Sequence, residues 1–346
     1  MNGMYTINVT SGKGGTGKTL FCSLLAELLG NKGIPVLLID LDFFVRGLTA
    51  LLYFHRQEAF HLVEKNQITV SDLFVKKNNV DNKYSHELGI SRYRSFDVLP
   101  SVSRIDELLN YNDIMPNDKD EAISMLKKMF SMIPRKYEIV ILDCRAGYDE
   151  LISAAHICSD MTLCIEEEDN ISKVTSDNLL KQLGNDSKTP LLRLTNKARN
   201  IETARDLEDA KRSINEIGPI PFDMDVMKNF GKEMFWEVIS KSLYKAAVVD
   251  SWNRLCKKMS LKYVLTDSRI SPLASNTVEK MFSLFGGSER VFLFYGILLS
   301  AIGFGLALSG EKFFYLVKDD PTRSIGFVSG VLGFFMIVGV LLKGKK

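Results

Sequence analysis

The densest chemistry in the chain lies in Ser11-Gly12-Lys13-Gly14-Gly15-Thr16-Gly17-Lys18-Thr19. Its glycines let the backbone curl so that successive N–H groups aim at one point, which suits a phosphate. Lys18 can reach the outer phosphates, and the Thr19 hydroxyl can ligate Mg²⁺. That chemistry needs a strand before the loop and a helix after it. The run Tyr5-Thr6-Ile7-Asn8-Val9 supplies the strand, and a helical period starts at Leu20. The N-terminus of that helix adds the positive end of its dipole. A glycine-rich turn that matched by chance would lack this context. Asp40 and Asp42 follow a second apolar run, Pro35-Val36-Leu37-Leu38-Ile39. Alternation along a strand puts both carboxylates on one side, facing the loop.

The elements that must position these groups are short apolar runs separated by helical periods. Strands are expected at 4–8, 35–39, 96–99, 139–142, 161–165 and 191–194, and helices at 20–29, 120–132 and 172–183. Unalternated apolar strands that alternate with helices predict an α/β fold with a mostly parallel, doubly wound sheet covered on both faces. About seven or eight strands are expected, with the phosphate loop after the first. Residues 59–95 are more polar and read as helices and loops between the second and third strands. Residues 240–264 read as one or two closing amphipathic helices. The expected domain is residues 1–265, followed by a linker with a short helix at 266–290.

The motifs, taken in order, resemble the MinD/ParA family of deviant Walker ATPases, whose loop reads K-G-G-x-G-K-T. The resemblance covers roughly residues 4–262. It implies a P-loop NTPase fold, ATP and Mg²⁺ as ligands, and ATP-dependent homodimerisation. In that family the early lysine, here Lys13, crosses the dimer interface to the partner's nucleotide. Gly12 through Leu20 take the positions that contact ATP. Leu38-Ile39-Asp40-Leu41-Asp42 matches the first switch: Asp40 would orient water on Mg²⁺ and Asp42 would place the attacking water. The strand 137–143 ends in Asp143, which fits Walker B and would hold Mg²⁺ through its water shell together with Thr19. Thr195-Asn196-Lys197 is similar to the adenine-reading segment, with Asn196 as the base contact. Ile217-Gly218-Pro219-Ile220-Pro221-Phe222 is a further landmark that places Pro221 near the base. Catalytic positions are then Lys13, Lys18 and Asp42.

Two features depart from the family. Its second switch reads D-T-P-x-G, and here it is Asp143-Cys144-Arg145-Ala146-Gly147. Arg145 is a candidate γ-phosphate sensor, and the plainer alternative is an ion pair with Asp149, Glu150 or the acidic run downstream. That run, Glu166-Glu167-Glu168-Asp169-Asn170, can cap the helix after it or dock a basic partner.

Charge and apolar patterning complete the reading. With 44 basic and 42 acidic residues the net charge is +2, which argues against nucleic acid as a partner. The five cysteines form no C-x-x-C pair and read as reduced core thiols. No basic-then-apolar signal opens the chain, so the first domain is expected to stay in the cytoplasm. Residues 291–309 and 324–342 are charge-free and apolar. Each is near the ~20 residues that span a bilayer. They predict a transmembrane hairpin, and a basic tail at 343–346 keeps both termini cytoplasmic. The expected protein is therefore a multi-pass inner-membrane ATPase that dimerises on ATP and controls an unidentified protein partner. Alternatives are a P-loop kinase resembling bacterial tyrosine autokinases, a membrane effector whose hairpin oligomerises, and a vectorial pump. Against the kinase, the spans follow the domain and no tyrosine cluster ends the chain.

Overall fold

The computed structural model describes residues 4–55, 61–75, 87–199 and 215–265. The chain divides into two units, Met1–Asp267 and Ser268–Lys346, and all described residues belong to the first. The expected linker and hairpin lie outside the described residues. Among the described residues no helix is long and apolar enough to cross a membrane.

Strand β1 (Tyr5–Ser11) runs through the glycine loop into α1 (Lys18–Gly30). It lies inside a seven-stranded sheet with β2 (Val36–Leu41), β5 (Ser91–Tyr93), β6 (Phe96–Leu99), β7 (Ile139–Ala146), β8 (Met161–Glu167) and β9 (Leu191–Asn196). Their order is β5-β6-β2-β7-β1-β8-β9. Every pairing is parallel except that of β5 with β6. β2 and β7 lie on one side of β1 in the order and β8 and β9 on the other, so the loop after β1 sits between the loops that follow both groups.

Alternation sends successive side chains of the buried strands into two cores. Ile7, Val9, Val36, Leu38, Ile139 and Ile141 pack with Phe21, Leu24 and Leu25 of α1. Tyr244, Val248 and Trp252 join that layer from the closing helix, Leu243–Met259. Leu37, Ile39, Val140 and Leu142 pack on the opposite face against Leu126 and Met129 of the helix Lys119–Met132 and Leu151 of the helix Glu150–Ile157. Leu179 and Leu183 of a third helix, Asn170–Asp186, complete that face. Burial of the strands on both sides explains their unbroken apolar sequence. All five cysteines are buried with free thiols.

The stretch expected to hold only helices and loops before residue 95 contains strands as well. β3 (Gln67–Ile68) pairs with β4 (Glu87–Leu88), and β5 forms the antiparallel edge of the main sheet. β5 has three residues with Arg92 exposed between buried Ser91 and Tyr93. So short and alternating a segment carries no apolar run for a sequence reading to find.

Candidate functional site

The loop between β1 and α1 takes its shape from glycine. Gly15 and Gly17 have φ of 81° and 88°, a region that side-chain-bearing residues rarely adopt. A Cβ at Gly14 or Gly15 would meet nothing within 4 Å, so the loop's inner surface is open. Lys18 lies at the start of α1, and its ammonium donates to the Ser11 hydroxyl at 2.9 Å, folding back over the loop. The next residue turns the other way: the Thr19 hydroxyl donates to the Asp143 carboxylate at 2.7 Å.

The parallel register of β2 and β7 sets Asp40 beside Asp143. Both are almost wholly buried. Asp40 accepts from the Thr49 hydroxyl at 2.6 Å, the Thr49 N–H at 2.8 Å and the Asp42 N–H at 3.0 Å. Burial pushes its carboxyl up to about 7, and the neighbouring charge of Asp143 adds to the rise. Burial likewise lifts Asp143 to about 6, opposed by the Thr19 hydrogen bond and the Lys18 charge. Among the described residues neither carboxylate has an ion-pair partner. Two buried acids without a cation, beside a hydroxyl and an open glycine loop, form a hard-oxygen donor set of the kind that suits Mg²⁺. Among the described residues no cluster of three or more His, Cys, Asp or Glu forms a cage. An ion held mostly by phosphate oxygens and water needs none.

An open cavity of about 600 Å³ collects Gly14, Gly15, Gly17, Lys18, Thr19, Leu20, Asp42, Asp143 and Arg145 of the expected residues. Other expected residues stand outside its walls, each for a visible reason. A Cβ at Gly12 would collide with the backbone at Thr175 and Ser176. Thr16 is fully buried. Asp40 stands behind the wall, held by Thr49. Pro221 bridges Ala198. Asn196 is fully buried and donates to the Thr16 carbonyl at 2.7 Å.

Lys13 turns away from the cavity and pairs with Glu167 at 2.9 Å and Asp169 at 2.7 Å. Lys197 pairs with Glu167 at 2.7 Å and also donates to the Gly15 carbonyl. Asp169 caps its helix by accepting from the Ser172 N–H at 2.9 Å. The acidic run is thus bound largely within the fold. Arg145 pairs with Asp149 at 3.1 Å, the plainer of its two readings, while still lining the cavity.

Several residues escaped the sequence reading. Thr49 and Ser101 lock Asp40 through hydrogen bonds that include Ser101 N–H to Thr49 Oγ1 at 2.9 Å. Phe44 stacks on Tyr111 with centroids 5.4 Å apart, at the rim beyond Asp42. Met227 and Phe230 form an apolar wall from the segment that follows β9. Phe44 alone had a local signal, its place two residues after Asp42.

The AAA domain family model matches residues 4–190. The septum site-determining protein MinD of Buchnera aphidicola subsp. Acyrthosiphon pisum is 24% identical over 268 residues, which cover 72% of this chain and 90% of that protein. MinD of Synechocystis is 26% identical over 147 residues, 41% of this chain and 46% of the relative, so that match spans about half the relative's length. Among solved structures, Pyrococcus horikoshii MinD complexed with Mg-ADP superposes with a TM-score of 0.53 at 19% identity, covering 73% of this chain and 96% of that one. The MinC:MinD cell division protein complex of Aquifex aeolicus gives 0.54 at 20% identity, with 73% and 96% covered. At these identities the structural likeness establishes the fold: an α/β P-loop arrangement with a mostly parallel sheet.

Proposed function

Since the chain belongs to the AAA domain family, with MinD among its relatives, we propose that it is a membrane-anchored nucleotide switch. It binds ATP with Mg²⁺, closes face to face with a second copy, hydrolyses ATP slowly, and controls a protein partner at the cytoplasmic face of the inner membrane. The observation that carries this reading is the buried pair Asp40 and Asp143 beside Thr19 and the open glycine loop. Bound Mg²⁺ would neutralise phosphate charge. The chain's own residues do the rest. N–H groups of Gly12 through Thr19 face the phosphates, and Lys18 leaves Ser11 to contact the outer ones. Thr19, Asp143 and Asp40 would hold the ion and the water around it. Asp42, at the wall of the cavity, positions the attacking water. Arg145 leaves Asp149 to sense the γ-phosphate.

Lys13 acts on the partner copy, so it must exchange Glu167 and Asp169 for the neighbour's phosphates. That exchange links nucleotide state to dimer state. The Aquifex relative is solved with MinC, and by analogy an unidentified protein reads the closed dimer here. The membrane part of the proposal rests on the apolar segments 291–309 and 324–342, whose length suits spanning helices. Two spans make residence permanent, so ATP governs assembly and not attachment.

The test uses full-length protein in detergent. Mg-ATP binding, phosphate release and ATP-dependent crosslinking are measured together. Carbonate extraction and accessibility at Lys318 and Lys345 probe the hairpin. Nucleotide-independent membrane residence, with Lys318 outside and Lys345 inside, is expected. Absence of Mg-ATP binding overturns the switch, and release from membranes by salt alone overturns the anchor.

A further inference from the structure

At the end of the sheet where the strands begin, opposite the glycine loop, the surface charge is mostly positive. Arg135 and Lys136 lead into β7, Lys188 leads into β9, and Lys257 and Lys258 lie in the last turn of the closing helix. That helix finishes at the same border: Lys262, just beyond it, pairs with Glu138 at 3.0 Å, immediately before β7. The other acids nearby are engaged as well. Asp97 accepts from the Tyr137 hydroxyl at 2.7 Å and from Arg92 and Lys136, each at 3.0 Å. Asp186 pairs with Lys119 at 2.6 Å, and Asp160 accepts the Thr6 N–H at 2.7 Å. Among the described residues Arg135, Lys188, Lys257 and Lys258 are left exposed with no acidic partner. A helix C-terminus offers roughly half a negative charge, too little to neutralise two lysines. β7 and β9 stand three places apart in the sheet, so this uncompensated charge spreads over roughly 15 Å in separate turns. A broad array of that kind suits an anionic surface better than a single small anion.

The course of the chain points to which surface it is. Leu265, the last described residue, exchanges two hydrogen bonds with Asn253 of the closing helix: its N–H donates at 2.8 Å and its carbonyl accepts at 2.7 Å. Asn253 lies within two turns of the end of that helix, so the described chain stops near the basic border. Residues 266–290 lead from there to the apolar segment 291–309. Even fully extended they reach no more than about 90 Å.

We propose that this border is a docking face for anionic phospholipid, which holds the open form of the domain down on the bilayer. Such docking rests on the membrane-anchor reading and adds a second contact to it. A short tether raises the effective concentration of lipid, so a contact too weak to capture a free protein becomes effective. Basic side chains are drawn to anionic headgroups within about 8 Å, the Debye length at physiological salt. Closure of two copies through their glycine-loop ends would turn their basic ends away from each other, so both cannot lie on one bilayer. Lipid docking and ATP-driven closure therefore compete, and a state held by lipid is depleted as ATP stabilises the other.

The test is lysine footprinting of full-length protein reconstituted in vesicles of phosphatidylcholine, with or without added phosphatidylglycerol. An amine-reactive reagent is expected to modify Lys188, Lys257 and Lys258 about fivefold more slowly on the anionic vesicles, the scale of a headgroup contact. High salt, which shortens the Debye length to about 3 Å at 1 M, is expected to abolish that protection. Lys228 and Lys232, on either side of the cavity residue Phe230, should label equally on both vesicles. The combined variant Arg135→Glu, Lys188→Glu and Lys258→Glu is expected to lose the protection of Lys257, and the wild-type comparison needs no variant to fold. Mg-ATP is expected to relieve protection in crosslinked dimers. Equal labelling of wild type on the two vesicles overturns the proposal, and so does full protection in ATP-crosslinked dimers. Protection of the same lysines by duplex DNA, with none on anionic vesicles, gives the face to nucleic acid and also overturns it. Carbonate extraction separates the two readings. Protein that resists carbonate and shows no footprint keeps the anchor and loses the docking face. Protein that carbonate strips while the footprint persists keeps the face and loses the anchor.

Discussion

Acids gather at the loop end of the sheet on both sides of β1, and the two sides treat them in opposite ways. On the β2–β7 side, Asp40 and Asp143 are buried with hydroxyls and N–H groups for company, and their carboxyls rise to about 7 and about 6. On the β8–β9 side, Glu166, Glu167 and Asp169 are met by Arg193, Lys13 and Lys197. One group is short of positive charge, and the other is already neutralised by the fold. Buried carboxylates without a cation are costly, which marks the first side as the place an external ion would complete. The second side is complete as it stands, and must be opened if Lys13 is to act elsewhere.

Lys18→Ala tests the first side most severely. It should cut ATP affinity by roughly a hundredfold, the scale of a lost charge-assisted contact on phosphate. Calorimetry showing unchanged affinity would move the phosphate site away from the β1 loop. Asp42→Ala should keep binding within about threefold while phosphate release slows about a hundredfold, because water placement matters only as the bond breaks. Equal loss of binding in both variants would erase the distinction between them.

The second side is tested at Lys13. Lys13→Ala should bind ATP normally and lose ATP-dependent crosslinking. Asp169→Asn combined with Glu167→Gln frees the lysine and should strengthen association by a few fold, the modest scale of exposed ion pairs. A Lys13→Ala variant that still dimerises on ATP returns the lysine to its intramolecular pairs alone.

The smallest effect belongs to Glu166. Burial raises its carboxyl to about 7 despite the opposing charge of Arg193, against 4.5 when unfolded. A raised pKa in the folded state favours the folded protein at low pH, and that contribution is lost as pH climbs through about 7. Glu166→Gln should therefore flatten the fall in melting temperature between acidic and mildly alkaline buffer. The slope that survives includes the other acids that burial raises, Asp40, Asp143 and Asp149. An unchanged slope would mean that Arg193 keeps Glu166 ionised throughout.

What the sequence made legible follows from how local each signal is. The β1 loop, α1 and the aspartates of β2 and β7 are contiguous patterns, and the structure brings Thr19, Asp40 and Asp143 together beside the loop, with β7 running three residues past Asp143 where the sequence reading ended it. Asn196 was legible as a strand end but not in its partner: the Thr16 carbonyl lies 180 residues away, and only the fold brings them together. Thr49 was silent for a related reason, since a threonine inside a helix gives no hint that its hydroxyl faces Asp40. Met227 and Phe230 look like ordinary core residues until the segment after β9 turns them toward the loop. β5 was missed because an edge strand this short needs little apolar sequence.

That edge strand also bears on how copies of the protein can meet. Three residues of antiparallel strand, with the Arg92 side chain 62% exposed and Lys136 paired to the same Asp97, offer an incoming strand little backbone and unwelcome charge. Lateral growth of the sheet into a ribbon is blocked at that border. Under the proposed switch, contact between copies would then fall at the end of the sheet where the loops gather, under the control of whatever fills the cavity.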